Sequence, residues 1–297
     1  MKYRSILEER DWQEDLEKTK DHTMKKIIVP VDFSDASRNA AIYAASMSNN
    51  IPESELLLYN VYDNFSAGTD GSLLAREEDA MKTISDNALH NLRNEILPLT
   101  KSTIGILSEN GTLAVSLEKL VMRNGADLVV MGINGASKLE QVLIGSNTLD
   151  VIKKDSFPVL IVPPVAKYER IHTAVFASDF KDVRKSTPVV ALRNLLYLFR
   201  PELHVIHIDE EQVAHMGDEF KKEKGAMDEL LRGFNPEYSF LEAHDFVKGI
   251  NNYVKDHHAD LIITVPHRHN FIADLFSKTH TEKLVYHTDV PVLAVHE

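Results

Sequence analysis

The sequence is short of cysteine, glycine and positive charge. It has no Cys in 297 residues, which excludes disulfides, iron–sulfur clusters and thiolate zinc sites. That composition suits a reducing compartment, and we expect a cytoplasmic protein. Lys and Arg number 33 against 45 Asp and Glu, and the resulting net charge of −12 argues against a broad nucleic-acid-binding face.

Long apolar runs are missing as well. No stretch approaches the ~18 apolar residues that a membrane helix needs, so we expect no membrane association. Charged residues at 8–11 interrupt any signal-peptide core. The hydrophobic content of 43% is normal for a globular protein.

Glycine is scarce, yet it is concentrated in one place. The chain has 12 glycines, and Gly132, Gly135 and Gly145 stand close together after a strand-like run. Glycines in such an arrangement allow tight turns and let the backbone approach a phosphate chain closely. No Lys follows Gly145, so the pattern is not a P-loop.

The chain repeats its own order of strand and helix patterns. A buried β-type run leads into Asp32-Phe33 in the first copy and into Asp179-Phe180 in the second, and each copy closes on a strand led by proline. Continuous apolar strands that alternate with helical segments predict α/β domains with a doubly wound parallel sheet. In such sheets ligands bind beyond the carboxyl ends of the strands, where the strand order reverses.

We predict three segments: an extension at 1–23, a first domain at 24–166 and a second at 167–297. Two prolines at 163 and 164 mark the linker. Asp32 and Asp179 are 147 positions apart, whereas Asp127 and Asp260 are 133 apart. The second copy is therefore about 14 residues shorter, and we place the deletion in the surface region after its second strand.

The motifs of the first copy resemble those of the universal stress protein family. They are Gly-x2-Gly-x9-Gly-Ser-Asn at 132–147, Pro-Val-Asp-Phe-Ser at 30–34 and Phe-Pro-Val-Leu-Ile-Val-Pro at 157–163. With two copies, the chain is similar to the tandem members. The resemblance implies five-stranded parallel sheets of order 3-2-1-4-5, of the adenine nucleotide alpha hydrolase type, packed as a pseudo-twofold dimer through the last strand of each copy.

Family members with this glycine motif bind ATP, and the resemblance implies ATP binding in the first domain. The positions that match the family's site are Pro30, Asp32, Val61, Met131, Gly132, Ile133, Gly135, Gly145, Ser146 and Asn147. A carboxylate only accepts hydrogen bonds, so Asp32 suits the adenine or ribose side. Backbone amides at a helix start suit the phosphates, with Mg²⁺ held by phosphate oxygens and water.

Each of these residues also has a plain structural interpretation. Gly132 and Gly135 could form an ordinary turn, and Gly145 could end a helix. Asp32 could cap the following helix, although Ser34 or Asp35 is better placed to do so.

The second copy has lost the glycine motif. Pro266 aligns with Gly132, and His269 aligns with Gly135. Proline lacks the backbone donor and fixes φ, so we predict weak or no ATP binding in this copy. Histidines concentrate here, and His267, His269 and His280 are candidate zinc ligands beside the simpler interpretation as surface residues.

The preferred function is a stress-response protein that binds ATP in its first domain and acts as a nucleotide-dependent switch or scaffold. The alternatives are a slow ATPase or autokinase, and a second domain that takes zinc or another small ligand. We identify no catalytic residues, although Ser137 and Ser146 could accept phosphate. We expect a protein partner, which the sequence does not identify, and we leave a homodimer open, because no residue of the sequence points to one.

Overall fold

The computed structural model describes residues 25–62, 71–133, 151, 157–209, 217–243, 245–265 and 288–295. The chain divides into two compact units, and the boundary along the chain falls between Glu169 and Arg170. Each unit is an α/β domain.

The first unit contains a parallel sheet whose strands follow the order β3-β2-β1-β4-β5. This confirms the strand order implied by the family resemblance. The strands in the described part of the unit are β1 (Lys26–Pro30), β2 (Glu55–Tyr62), β3 (Thr103–Asn110), β4 (Leu128–Gly132) and β5 (Val159–Val162). The chain reverses its direction of winding between β1 and β4, which are direct neighbours.

Buried apolar side chains explain why these segments form a parallel sheet. Ile27, Ile28 and Val29 in β1 are at most 2% exposed, and the four residues of β5 are buried to the same degree. A strand without a polar face must be covered on both sides, which is the usual state of a parallel sheet in α/β proteins.

Helices of different lengths connect these strands. The described ones are α1 (Asp35–Ser48), α2 (Gly71–Ile96) and α3 (Leu113–Asn124). Ala40, Ala41, Ala44 and Ala45 of α1 are completely buried. Their small side chains let α1 lie close to the sheet.

The second unit repeats this order of strands, as the internal repeat predicts. Its strands follow the order β10-β9-β6-β7-β8. They are β6 (Thr173–Ala177), β7 (Glu202–Asp209), β8 (Glu237–Glu242), β9 (Leu261–Thr264) and β10 (Val292–Ala294). The described helices are α4 (Val183–Ser186), α5 (Val189–Phe199), α6 (Asp218–Leu230) and α7 (Phe246–Asp256).

The shorter second copy differs from the first mainly in a helix. After the second strand of each unit, α2 has 26 residues and α6 has 13. The sequence places the deletion in this region but suggests a loop. The structure instead shows a helix of half the length, so whole turns have been removed. Among the helices in the described ranges, none is both long and apolar enough to cross a bilayer.

One aspartate fixes the start of the central strand in each unit. Asp127 Oδ2 accepts hydrogen bonds from the backbone N–H groups of Lys25 and Lys26, both at 2.9 Å. Asp260 repeats the arrangement at the start of β6, with distances of 2.7 and 2.9 Å. In both units the aspartate precedes the fourth strand and ties that strand to the first.

We predict that Asp127→Ala lowers the stability of the first unit. The substitution removes two charge-assisted hydrogen bonds and leaves two backbone donors to be solvated, at a cost of about 1–3 kcal/mol. Urea unfolding followed by circular dichroism measures the effect. Asp256→Ala is the control, because Asp256 is exposed at the end of α7. Equal unfolding midpoints for Asp127→Ala and the wild type would show that this contact contributes nothing.

Candidate functional site

The carboxyl ends of β2, β1 and β4 lie side by side at one edge of the first unit's sheet. Pro30 is the last residue of β1, and Val61 is the second-last of β2. Met131 and Gly132 end β4, and the N–H of Ile133 donates to the carbonyl of β5's last residue at 3.3 Å. The topology therefore brings these five predicted residues to the point where the winding reverses.

Asp32 lies at the same edge, two residues beyond the end of β1, and is exposed to solvent. Its Oδ1 accepts hydrogen bonds from the N–H of Ser34 at 3.0 Å and from the Ser34 hydroxyl at 2.6 Å. Its own N–H donates to Ser37 Oγ at 3.3 Å. The carboxylate is thus held in a fixed orientation by the turn that follows it.

Ser34 also caps α1, as its position in the sequence predicts. Its Oγ accepts a hydrogen bond from the N–H of Ser37 at 3.3 Å. Asp32 does not cap the helix itself but is hydrogen-bonded to Ser34, which does. One chain of contacts therefore joins the carboxylate to the first turn of the helix.

The electrostatic setting of Asp32 favours the ionised form. Partial burial by itself raises the pKa of the carboxyl group, but hydrogen bonds from Ser34 and Ser37 outweigh it and leave the pKa below the ordinary value of 3.8. The group is therefore a carboxylate at neutral pH. It can accept hydrogen bonds from hydroxyl or amino groups of a ligand, and it repels phosphate.

Gly132 has a structural function that the sequence did not reveal. A Cβ at this position would lie 2.1 Å from the carbonyl oxygen of Ala36 and 2.9 Å from the nitrogen of Ser37. Both atoms belong to the backbone at the start of α1 and cannot move aside as a side chain can. The end of β4 thus packs directly on the first turn of α1, which also carries the hydrogen bonds to Asp32.

The buried side-chain amide of Asn60 connects the elements that form this edge. Asn60 donates from Nδ2 to the carbonyl of Val31 at 2.7 Å and accepts from the Ser85 hydroxyl at 2.7 Å. The bonds tie β1, β2 and α2 together next to Asp32. Sequence reasoning missed Asn60, although a polar residue in an apolar strand is a detectable signal.

Several predicted residues lie outside the described part of the chain. They are Gly135, Gly145, Ser146 and Asn147 of the glycine motif, and the zinc candidates His267, His269 and His280.

The second unit builds the same turn at the matching position. Asp179 Oδ1 accepts from the N–H of Lys181 at 3.0 Å, as Asp32 does from Ser34. The residue after each aspartate has positive φ, 65° at Phe33 and 53° at Phe180. The backbone of the aspartate turn is therefore preserved in both copies, which agrees with the internal repeat.

The two turns differ in what the phenylalanine does. Phe33 is 41% exposed, whereas Phe180 is 3% exposed. Ring centroids of Phe220, Phe240 and Tyr238 lie 5.0, 6.0 and 6.2 Å from that of Phe180. Aromatic side chains thus pack at the edge of the second sheet where the first unit has an exposed turn.

His207 joins this aromatic cluster and takes the place of Asn60. Its Nδ1 lies 3.0 Å from the carbonyl oxygen of Ser178, as Asn60 Nδ2 lies near that of Val31. A small pocket beside the aspartate turn, lined by residues that include Asp179, Ser186 and Val265, has a volume of about 10 Å³. That is close to the room needed by a single water molecule.

Comparisons with known proteins agree with this architecture. The model of the universal stress protein family matches residues 23–163 and 190–296. A universal stress protein from Methanocaldococcus jannaschii is 28% identical over 153 residues, which cover 46% of this chain and 94% of that protein. A second universal stress protein from the same organism is 30% identical over 150 residues, covering 46% of this chain and 81% of its own length.

A solved structure extends the similarity over both units. The crystal structure of a universal stress protein from Archaeoglobus fulgidus has a TM-score of 0.69 with this chain and 19% sequence identity. The match covers 91% of this chain and 98% of that one. At this level of identity the likeness establishes the fold alone.

Proposed function

We propose that this chain, which belongs to the universal stress protein family, binds ATP with Mg²⁺ in its first unit. The ligand lies at the sheet edge formed by the ends of β1, β2 and β4. There the chain acts as a nucleotide-dependent switch or scaffold in the response to stress.

The observation that carries the proposal is the meeting of Asp32 and Gly132 at one edge. They are 100 positions apart in the sequence but follow neighbouring strands, at the point where the strand order reverses. Ligands of doubly wound sheets bind at this point. The glycine motif that begins at Gly132 supplies backbone where a phosphate chain requires close approach.

The chemistry of the described residues fits the nucleoside end of ATP. Asp32 is exposed and ionised, so it can accept hydrogen bonds from the ribose hydroxyls or the adenine amino group. Val61 is half-buried beside it on β2 and can pack against the base. Mg²⁺ would neutralise the phosphates through their own oxygens and water, as it usually does in phosphate sites.

The difference between the units supports a single nucleotide per chain. Phe180 and its aromatic neighbours pack where the second unit would receive a base, although the aspartate turn is preserved. The aromatic side chains are therefore a second obstacle to nucleotide binding by that copy, in addition to the loss of its glycine motif.

Calorimetry with ATP and Mg²⁺ on the full chain tests the proposal. We expect about one ATP bound per chain. Hydrolysis of the bound ATP, followed as release of phosphate, should be far slower than dissociation of intact ATP. Absence of heat and of retained nucleotide would contradict the binding proposal. Steady phosphate release would favour the ATPase alternative.

The switch function requires two states that ATP populates differently. We expect hydrogen exchange of the first unit to slow when ATP is bound, most strongly at the backbone around Asp32 and the start of α1. Identical exchange with and without bound ATP would contradict a switch and favour a static scaffold.

The lowered pKa of Asp32 predicts how ATP affinity depends on pH. A carboxyl group with a lowered pKa is ionised at neutral pH, so its contribution is fully present above the ordinary value of 3.8 and is lost as pH falls below it. The ratio of wild-type to Asp32→Asn affinity should therefore be constant from about pH 5 to 8. Using the ratio cancels the titration of ATP itself. A ratio that declines already near neutral pH would contradict the assignment.

A further inference from the structure

Three side chains with metal-binding atoms meet in the second unit, at the opposite edge from Asp179. Glu202 begins β7, and His204 follows two residues later, so both point to the same face of the sheet. Glu237 begins β8 and is the register partner of His204. The parallel pairing of β7 and β8 therefore places all three on one face, near the amino ends of the strands.

The distances are those of a group that can close around one ion. One ligand atom from each of the three residues lies within 4.8 Å of the other two. His204 Nε2 is 3.9 Å from Glu202 Oε1, which is beyond a hydrogen bond. The His204 side chain is 5% exposed, whereas that of Glu202 is 74% exposed. The carboxylates can close the remaining distance by rotating about their own side-chain bonds.

A second layer of contacts fixes the imidazole. His204 Nδ1 lies 2.9 Å from the Tyr253 hydroxyl, which lies 2.9 Å from Ser239 Oγ. The ring of His257 stacks on Tyr253 at 4.0 Å between centroids. With Nδ1–H donating to Tyr253, Nε2 carries the lone pair, and this is the nitrogen that lies 3.9 Å from Glu202 Oε1. Metal-binding histidines usually have this kind of support from their second nitrogen.

We propose that Glu202, His204 and Glu237 bind a divalent transition-metal ion, and that this ion is Zn²⁺. Two carboxylates neutralise its charge, and a neutral imidazole is a preferred zinc ligand. Water completes the coordination, since the glutamates are exposed. This site uses none of the histidines that the sequence suggested, and it does not depend on nucleotide binding in the first unit.

The competing explanation is an ion pair in which a protonated His204 bridges two glutamates without any metal. The two explanations differ in what they predict for zinc. An ion pair needs no Zn²⁺ and competes with it, whereas a zinc site binds one ion at neutral pH and loses it when the carboxylates are removed.

Calorimetric titration of the tag-free full chain with Zn²⁺ at pH 7 separates them. Glu202→Gln and Glu237→Gln keep the shape of the side chains and remove their charge. We expect each to weaken one zinc-binding event by at least about 10- to 100-fold, since that much is lost even when a residue that only supports a metal ligand is replaced. The double variant should bind one Zn²⁺ fewer than the wild type.

Glu242→Gln is the matched control, because Glu242 is an exposed glutamate at the other end of β8. It should leave zinc binding unchanged. The proposal is overturned if the double variant binds Zn²⁺ with wild-type stoichiometry and affinity. It is also overturned if Glu242→Gln weakens binding as much as the other two, since that would indicate a general effect of surface charge.

Discussion

Gly132→Ala is expected to destabilise the first unit by about 3 kcal/mol or more and to abolish its nucleotide binding. The new methyl group would overlap the carbonyl oxygen of Ala36 at 2.1 Å, and the end of β4 would have to move away from α1. Overpacking usually costs about 1–3 kcal/mol, and contact with rigid backbone places this position at the upper end. The displacement also disturbs Ser37, which is hydrogen-bonded to Asp32. Chemical unfolding and ATP calorimetry measure the two effects.

Gly225→Ala is the control for this substitution. Gly225 lies within α6, and a Cβ there meets no other atom within 4 Å. Alanine should be neutral or stabilise the helix by about 0.5–1 kcal/mol, since glycine is a poor helix former. A Gly132→Ala protein with wild-type stability would show that β4 and α1 are not packed as described.

Loss of ATP binding in Gly132→Ala does not by itself locate the ATP, because a damaged fold would have the same effect. Asp32→Asn locates it better. The amide has the shape of the carboxylate and keeps an oxygen for the Ser34 N–H, so the turn should persist. Its charge is lost, and with it the strong hydrogen bonds to the ligand. We expect ATP affinity to fall on the order of 10- to 100-fold, since hydrogen bonds to charged groups contribute about 1.5–3 kcal/mol.

The internal repeat supplies the control for Asp32→Asn. Asp179 has the same backbone turn in the second unit, where aromatic side chains pack at the corresponding edge. Asp179→Asn should leave ATP affinity and stoichiometry unchanged. If Asp179→Asn weakened ATP binding and Asp32→Asn did not, the ATP site would lie in the second unit, which would contradict the proposal.

The order of strands and helices along the chain follows from local sequence patterns, as does the position of Asp32 and Gly132 at strand ends, whereas the order of strands within the sheet was implied by the family resemblance. Apolar runs such as the one before Asp32 determine strands, and the repeated aspartate turn identifies two copies of one domain. Parallel strands place their carboxyl ends at one edge, so residues 100 positions apart could be assigned to one site. The same local chemistry limits the cap of α1 to Ser34 or Asp35, and the structure shows that it is Ser34.

Other features depend on contacts between distant residues, which no local pattern contains. The approach of Gly132 to Ala36 depends on how closely α1 packs on the sheet. Sequence offsets alone did not show that the deletion shortens a helix. The grouping of Glu202, His204 and Glu237 depends on the register of β7 with β8, because Glu237 is far from the other two in sequence.

The second unit illustrates the same limit. The sequence predicts its loss of ATP binding from Pro266 and His269, which lie outside the described residues. The structure supplies a separate reason in the burial of Phe180, which has an exposed counterpart in Phe33. Both copies have the same Asp-Phe dipeptide, so the dipeptide does not show which phenylalanine is buried; Phe220 and Phe240 are among the rings that pack on Phe180.

A crystal structure of the full chain with ATP and Mg²⁺ tests the central claim most directly. The account predicts one nucleotide per chain, with its adenosine beside Asp32 and Val61 and its phosphates passing the end of β4 at Gly132. Density for ATP beside Asp179, or none beside Asp32 at saturating ATP, would contradict it.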